Sequence, residues 1–151
     1  MKEKLLFSAM VILVVLLASY ISILPPKGAD TIEFETIAKG QYSGISERGT
    51  YIINTDKEWK AFLNKFLTNN INSEIENFRF QEGRHTIIAI TMYENITTGY
   101  DIEIREVYEF PEYVKLDVIQ QVPCAGCILE EKVTRPYHII SIPSTTKEIR
   151  R

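Results

Sequence analysis

Tyr100-Asp101-Ile102-Glu103-Ile104-Arg105 alternates apolar and polar residues, and Val114-Lys115-Leu116-Asp117-Val118 does the same. Period two sends successive side chains to opposite faces of an extended chain, so each stretch predicts a strand with one face buried and one in water. Pro111, in FPE at 110–112, suits a turn between them. HTIIAITMY (85–93) and HIISI (138–142) are β-branched runs without clear alternation, which predict more fully buried strands. Ile32–Ala38 and Thr50–Ile53 are weaker strand candidates. One helix interrupts this pattern. Thr55 and Glu58 have capping-box spacing, and Trp59, Phe62, Leu63, Phe66 and Leu67 then fall on one helical face, with Asn69-Asn70 as the stop. These elements predict a mainly β (α+β) domain over 31–146: a small antiparallel β-sandwich or barrel-like fold with one amphipathic helix. Residues 147–151 would be a tail.

The N-terminus obeys a different rule. From Leu5 to Leu24 there is no charge, glycine or proline, and as a helix this stretch would extend about 30 Å, the thickness of a bilayer's hydrocarbon core. It is longer than the apolar region of a signal peptide and is not followed by a small-x-small cleavage site. The expectation is therefore a transmembrane signal anchor over 1–24, with secretion after cleavage as the alternative. Lys2 and Lys4 precede the span, so the positive-inside tendency keeps the N-terminus cytoplasmic and exports the rest. PPKGAD at 25–30 reads as a stiff linker. Asn95-Ile96-Thr97 is an N-x-T sequon, usable only where exported proteins are glycosylated.

The chain carries 17 Lys and Arg against 20 Asp and Glu, a net charge of −3, which argues against nucleic acid as a partner. No internal repeat or low-complexity tract is visible. No G-x-S-x-G, H-E-x-x-H or phosphate-binding loop appears. A Cys127–His138 dyad has no supporting spacing, and His138 reads better as a strand residue whose ring nitrogens are satisfied. Asp101, Glu103 and Asp117 read as solvated strand faces. The expectation is a binding protein, not an enzyme, with no cofactor.

Cys124 and Cys127 are the only cysteines, in VPCAGC at 122–127. Outside the cytoplasm such a pair can form a small disulfide or remain as inert thiols. Thioredoxin-type redox chemistry would want a helix after the first cysteine, whereas ILEEKVT looks like strand. A zinc site would need further ligands, and His85 and His138 lack close pairing. Thiol-redox or metal-binding function through Cys124 and Cys127 stays open as a lesser alternative.

Thr97-Thr98-Gly99-Tyr100 running into a strand, then Gly126-Cys127, Pro136-Tyr137 and Ile139 to Pro143, together resemble the PrcB C-terminal domain family, whose named member is a protease-complex-associated subunit. The likeness extends weakly back to the Trp59 helix. Thr98 replaces the first glycine of the family's turn, and Cys124 is a cysteine the family pattern does not require. The resemblance implies a packing role for Cys127, expected to be buried, and a protease or protease complex as partner, stabilised or positioned by this domain. Asn95-Ile96-Thr97-Thr98-Gly99-Tyr100 is also similar to a loop of chagasin-like cysteine protease inhibitors, with Ile96 where proline is usual, which gives inhibition as a second reading. The expected contact surface unites the 95–99 turn, the 122–127 segment and Arg135-Pro136-Tyr137. Its candidate residues are Asn95, Thr97, Thr98, Gly99, Tyr100, Arg135 and Tyr137, with the two tyrosines as anchors unless their rings fill the core.

Overall fold

The structure is a computed structural model describing residues 25–67 and 73–151. The predicted anchor, Leu5–Leu24, and the helix stop at Asn69-Asn70 lie outside the described residues. Among the described residues the strands are β1 (Asp30–Thr31), β2 (Glu35–Gly40), β3 (Gly49–Ile53), β4 (His85–Thr91), β5 (Asn95–Thr97), β6 (Asp101–Glu109), β7 (Tyr113–Gln121), β8 (Glu131–Thr134), β9 (Tyr137–Pro143) and β10 (Glu148–Arg150). The helices are α1 (Asp56–Phe66) and α2 (Ser73–Asn77). Sheet 1 has the order β1-β6-β7-β10 and sheet 2 the order β2-β9-β4-β3, while β5 and β8 form a separate ribbon.

Three layers result: α1, sheet 2, sheet 1. Successive residues of β4 and β9 serve two different cores. Ile87, Ala89, Tyr137 and Ile139 pack with Trp59, Phe62 and Phe66 of α1. Ile88, Ile90, Ile140 and Ile142 pack with Ile102, Ile104, Val107, Val114 and Leu116 of sheet 1. Two-sided burial removes the need for polar residues between the apolar ones, which is why these strands do not alternate. β6 and β7 cover only one core, so they do alternate. On the outer face of sheet 1, Asp101 and Glu103 pair with Lys39, and Asp117 with Arg105.

α1 begins as its sequence dictates. Thr55 accepts from the Glu58 amide at 3.2 Å, and the Glu58 carboxylate accepts from the Thr55 amide at 3.1 Å. Each bond satisfies a backbone donor that the first helical turn leaves without a partner. The Trp59, Phe62 and Phe66 rings form a stacked row with centroids 5.9 and 5.3 Å apart.

Several short elements exceed the sequence expectation. α2 adds a second helix. Residues 147–151, expected as a tail, contribute β10, which pairs in parallel with β7 from Glu148↔Tyr113 to Arg150↔Lys115. The expected linker already enters sheet 1 at Asp30, opposite Glu109.

His138 ties the two sheets together. It is buried on the sheet 1 side of β9, and its Nδ1 accepts from the Ile104 amide of β6 at 2.9 Å, while Nε2 lies 3.0 Å from Thr36 Oγ1. An acceptor at Nδ1 places the proton of the neutral ring on Nε2, which then donates to the Thr36 hydroxyl. Burial pushes the His138 pKa below its ordinary value, assisted by the Lys39 charge and opposed by Glu103 and Asp101. Protonation would also set an Nδ1–H against the Ile104 N–H. A pKa lower in the folded than the unfolded state stabilises the fold above about pH 6.5, and that contribution is lost as pH falls from there toward the folded value. Chemical unfolding measured from about pH 7.5 to about pH 5 should show stability declining in that window, and His138→Gln should flatten the decline.

Candidate protein-binding end of the sandwich

The ribbon caps the end of the sandwich at which β6 starts and β7 finishes. Asn95 lies opposite Thr134 and Thr97 opposite Glu131, with an irregularity between them. Thr134 Oγ1 donates to Thr97 O at 2.9 Å, the Thr98 amide donates to Glu130 O at 3.0 Å, and the Glu130 amide donates to Thr98 Oγ1 at 3.3 Å. Thr97 and Thr98 therefore bond inward to the β8 side. Asn95 closes a local turn through its Nδ2, which donates to Tyr93 O at 2.7 Å.

Gly99 makes this packing possible. Its φ of +92° is disfavoured for residues with a side chain, and a Cβ there would lie 3.2 Å from both Leu129 Cδ2 and Pro123 Cγ. The 95–99 turn and the 122–129 loop are thus one packed unit. Arg135 fastens the neighbouring corner. Its Nε donates to Glu94 Oε2 at 2.7 Å and its Nη2 reaches the same oxygen. Its amide donates to Gln41 O at 2.7 Å, and its carbonyl accepts from Ser43 at 3.1 Å. Tyr42 lies alongside, its ring 4.9 Å from Lys132 Nζ.

The three segments expected to share a face do come together, with two corrections. Tyr137 is 3% exposed and its ring meets Phe66 edge-on at 4.7 Å, so it belongs to the core beneath α1 and cannot anchor a partner. The parity of β9 decides this: 137 and 139 face the helix, and 138 and 140 face sheet 1. Tyr100 is partly buried, with its ring packed against the inter-sheet core. The second correction concerns Cys127, which is exposed, as is Cys124. The two form a disulfide with Cα atoms 5.5 Å apart, closed by the Cys127 amide donating to Cys124 O at 3.3 Å. Only Pro123 and Leu129 of this loop are drawn inward, so the cysteines ride on the surface and shape the loop without filling a core. Among the described residues no group of His, Cys, Asp and Glu has the arrangement of a metal site.

Residues 86–143 match the family model described as PrcB C-terminal. The matched stretch runs from the second residue of β4 to the end of β9. It therefore contains the inner strands of sheet 2, the β6–β7 hairpin, the ribbon and the disulfide loop. The Trp59 helix lies outside it. No curated protein and no solved structure matches the chain.

Within the matched region lie residues that sequence reasoning missed. Ile96, Val122, Ile128 and Val133 are 77%, 64%, 103% and 47% exposed. On the ribbon the inward positions are Asn95, Thr97 and Thr134, leaving Ile96 and Val133 to point outward together. Their signal was an aliphatic residue set between polar neighbours, as in N-I-T and K-V-T. That pattern locates a strand without saying which face meets water.

Two substitutions check this geometry. Gly99→Ala should lower unfolding stability by about 1–3 kcal/mol through the strained φ and the Pro123 contact. Tyr137→Ala should cost about 3–5 kcal/mol, the range of aromatic truncation in a core. Denaturant titration reads both.

Proposed function

We propose that residues 25–151 form an extracytoplasmic protein-binding domain, tethered by Leu5–Leu24, which docks on a protease or protease complex through the ribbon end of the sandwich. The observation that carries this reading is the set of exposed aliphatic side chains Ile96, Val122, Ile128 and Val133 on a unit held in shape by hydrogen bonds and a disulfide. Such a cluster is unfavourable in water, and its burial gives a partner roughly 1.5–3 kcal/mol per large aliphatic side chain. A rigid ribbon loses little entropy on docking, so more of that gain survives as affinity. The protease as partner rests on the PrcB C-terminal match, and the tether rests on the sequence of the span. Among the described residues no helix is long and apolar enough to cross a membrane.

This geometry favours binding over cleft-insertion inhibition. The Thr97 carbonyl and the Thr98 amide and hydroxyl are engaged by Thr134 and Glu130, and a loop entering a protease cleft would offer such groups outward. Glu130 and Glu131 beside the aliphatic cluster suit a partner segment with a basic residue at its rim.

The full chain, purified from membranes with its associated proteins, tests the proposal. Ile96→Asp and Ile128→Asp should leave the melting temperature unchanged and reduce co-purification of a protease component at least about tenfold, because each buries a charge without a partner. Undiminished co-purification with both variants would overturn the assignment of the site. Complete release of the chain from carbonate-washed membranes would overturn the tether.

A further inference from the structure

A sheet ends in strands whose outer backbone groups lack a partner, and natural chains guard such edges with short strands, charges or bulges. Three of the four edges of this sandwich carry those guards. β1 has two residues. β10 has three and places the Glu148–Arg150 ion pair on its flank. β2 bears Glu35 and Lys39 and is broken by a bulge between Thr36 and Ala38. β3 has none of them. Gly49-Thr50-Tyr51-Ile52-Ile53 is uncharged and proline-free, and among the described residues it pairs in unbroken register with β4 alone. Ile52 is 40% exposed. A groove of about 420 Å³ follows this edge, lined by Tyr51, Ile52 and Ile53 and by Ala61 and Phe62 of α1, with Glu58 and Lys65 also on its wall.

We propose that this edge is a homodimer interface, in which β3 pairs antiparallel with β3 of a second copy to make one eight-stranded sheet. A two-fold axis through Tyr51 sets Thr50 opposite the partner's Ile52 and covers the exposed face of both. The charges on the groove wall select this arrangement. α1 runs antiparallel to β3: Glu58 sits at the Ile53 end, where its carboxylate accepts from the Asn54 and Thr55 amides. Lys65 sits at the other end, 5.6 Å over the Tyr51 ring and 3.9 Å from Glu47. The two-fold brings the Glu58 end of each groove against the Lys65 end of the other, so the surface is complementary to itself, as a closed dimer requires. Ala61, one turn from Glu58 and one from Lys65, is the small residue where the two helices approach. A strand from an unrelated protein would use the edge once, whereas a second copy closes two unguarded edges in one event. The axis runs along the sheet normal, so sheet 1 of both copies, with the residue 25–29 leads that enter it, lies on the same side. Two chains tethered to one membrane can therefore form the pair.

Sedimentation equilibrium of the full chain in detergent micelles tests the proposal. The expected mass is that of a dimer. Ile52→Lys, on a half-exposed position facing away from α1, should leave the melting temperature of the dilute monomer unchanged and raise the dimer Kd at least about tenfold. Lys65→Glu, which sets like charges together across the axis, should also weaken the dimer. Ile128→Asp, at the ribbon end, should leave the mass unchanged, which separates this interface from the docking site. A chain monomeric at every concentration would overturn the proposal. So would a dimer indifferent to both Ile52→Lys and Lys65→Glu, or a β3 edge shielded from exchange only by another protein's strand.

Discussion

β4 and β9 bury both faces, and that constraint positions every other layer. Together they form a slab of isoleucine, alanine and threonine with helix aromatics on one side and the β6–β7 hairpin on the other. Interiors are close-packed, so a change of register by one residue in either strand would exchange the contents of two cores at once. Two threonines within the slab are tolerated because each hydroxyl has a partner. Thr86 Oγ1 donates to Asn54 Oδ1 at 2.6 Å, and Thr91 Oγ1 donates to Glu47 O at 2.7 Å.

The seam between the sheets is held by a different chemistry. The chain leaves β1 and crosses to β2, so β1 covers only Tyr108 and Glu109 of β6. Farther along that strand the His138 ring supplies the acceptor for the Ile104 amide. Lys39 then closes the rim by reaching Asp101 at 2.9 Å and Glu103 at 2.8 Å from the other sheet. Burial lowers its pKa and the two carboxylates raise it, with a net rise. These partly exposed pairs are screened by water, so they orient the seam more than they stabilise it.

Legibility in the sequence followed element length and the number of faces each element buries. β4 and β9 announced themselves as unbroken β-branched runs, β6 and β7 as alternation, and α1 as a capping box ahead of an apolar stripe. β1, β5, β8 and β10 span two to four residues, too few for any period to show. The site was legible as a neighbourhood, because the Gly99 turn and the cysteine loop are local features, but its inside and outside were not. Which of Tyr137 and His138 faces the helix depends on β9 register against β4, and pairing across such a separation leaves no trace in local pattern. For the same reason Cys127, implied by resemblance to be packed, proved to lie on the surface, while Ile128 beside it is open to water.

The strand order β2-β9-β4-β3 also dictates when the domain can come into existence. β4 can zip onto β3 early, across the α1 connection. Its other edge must wait for β9, which follows the whole β5–β8 stretch, and β2 has no partner in its sheet until β9 arrives. Closing so large a loop is an entropic cost met before any contact returns it, which makes such topologies slow to fold. During synthesis the isoleucine slab is therefore half-built and sticky until residues 137–143 are available. A chain of this order gains from collapsing only once all of β9 is available.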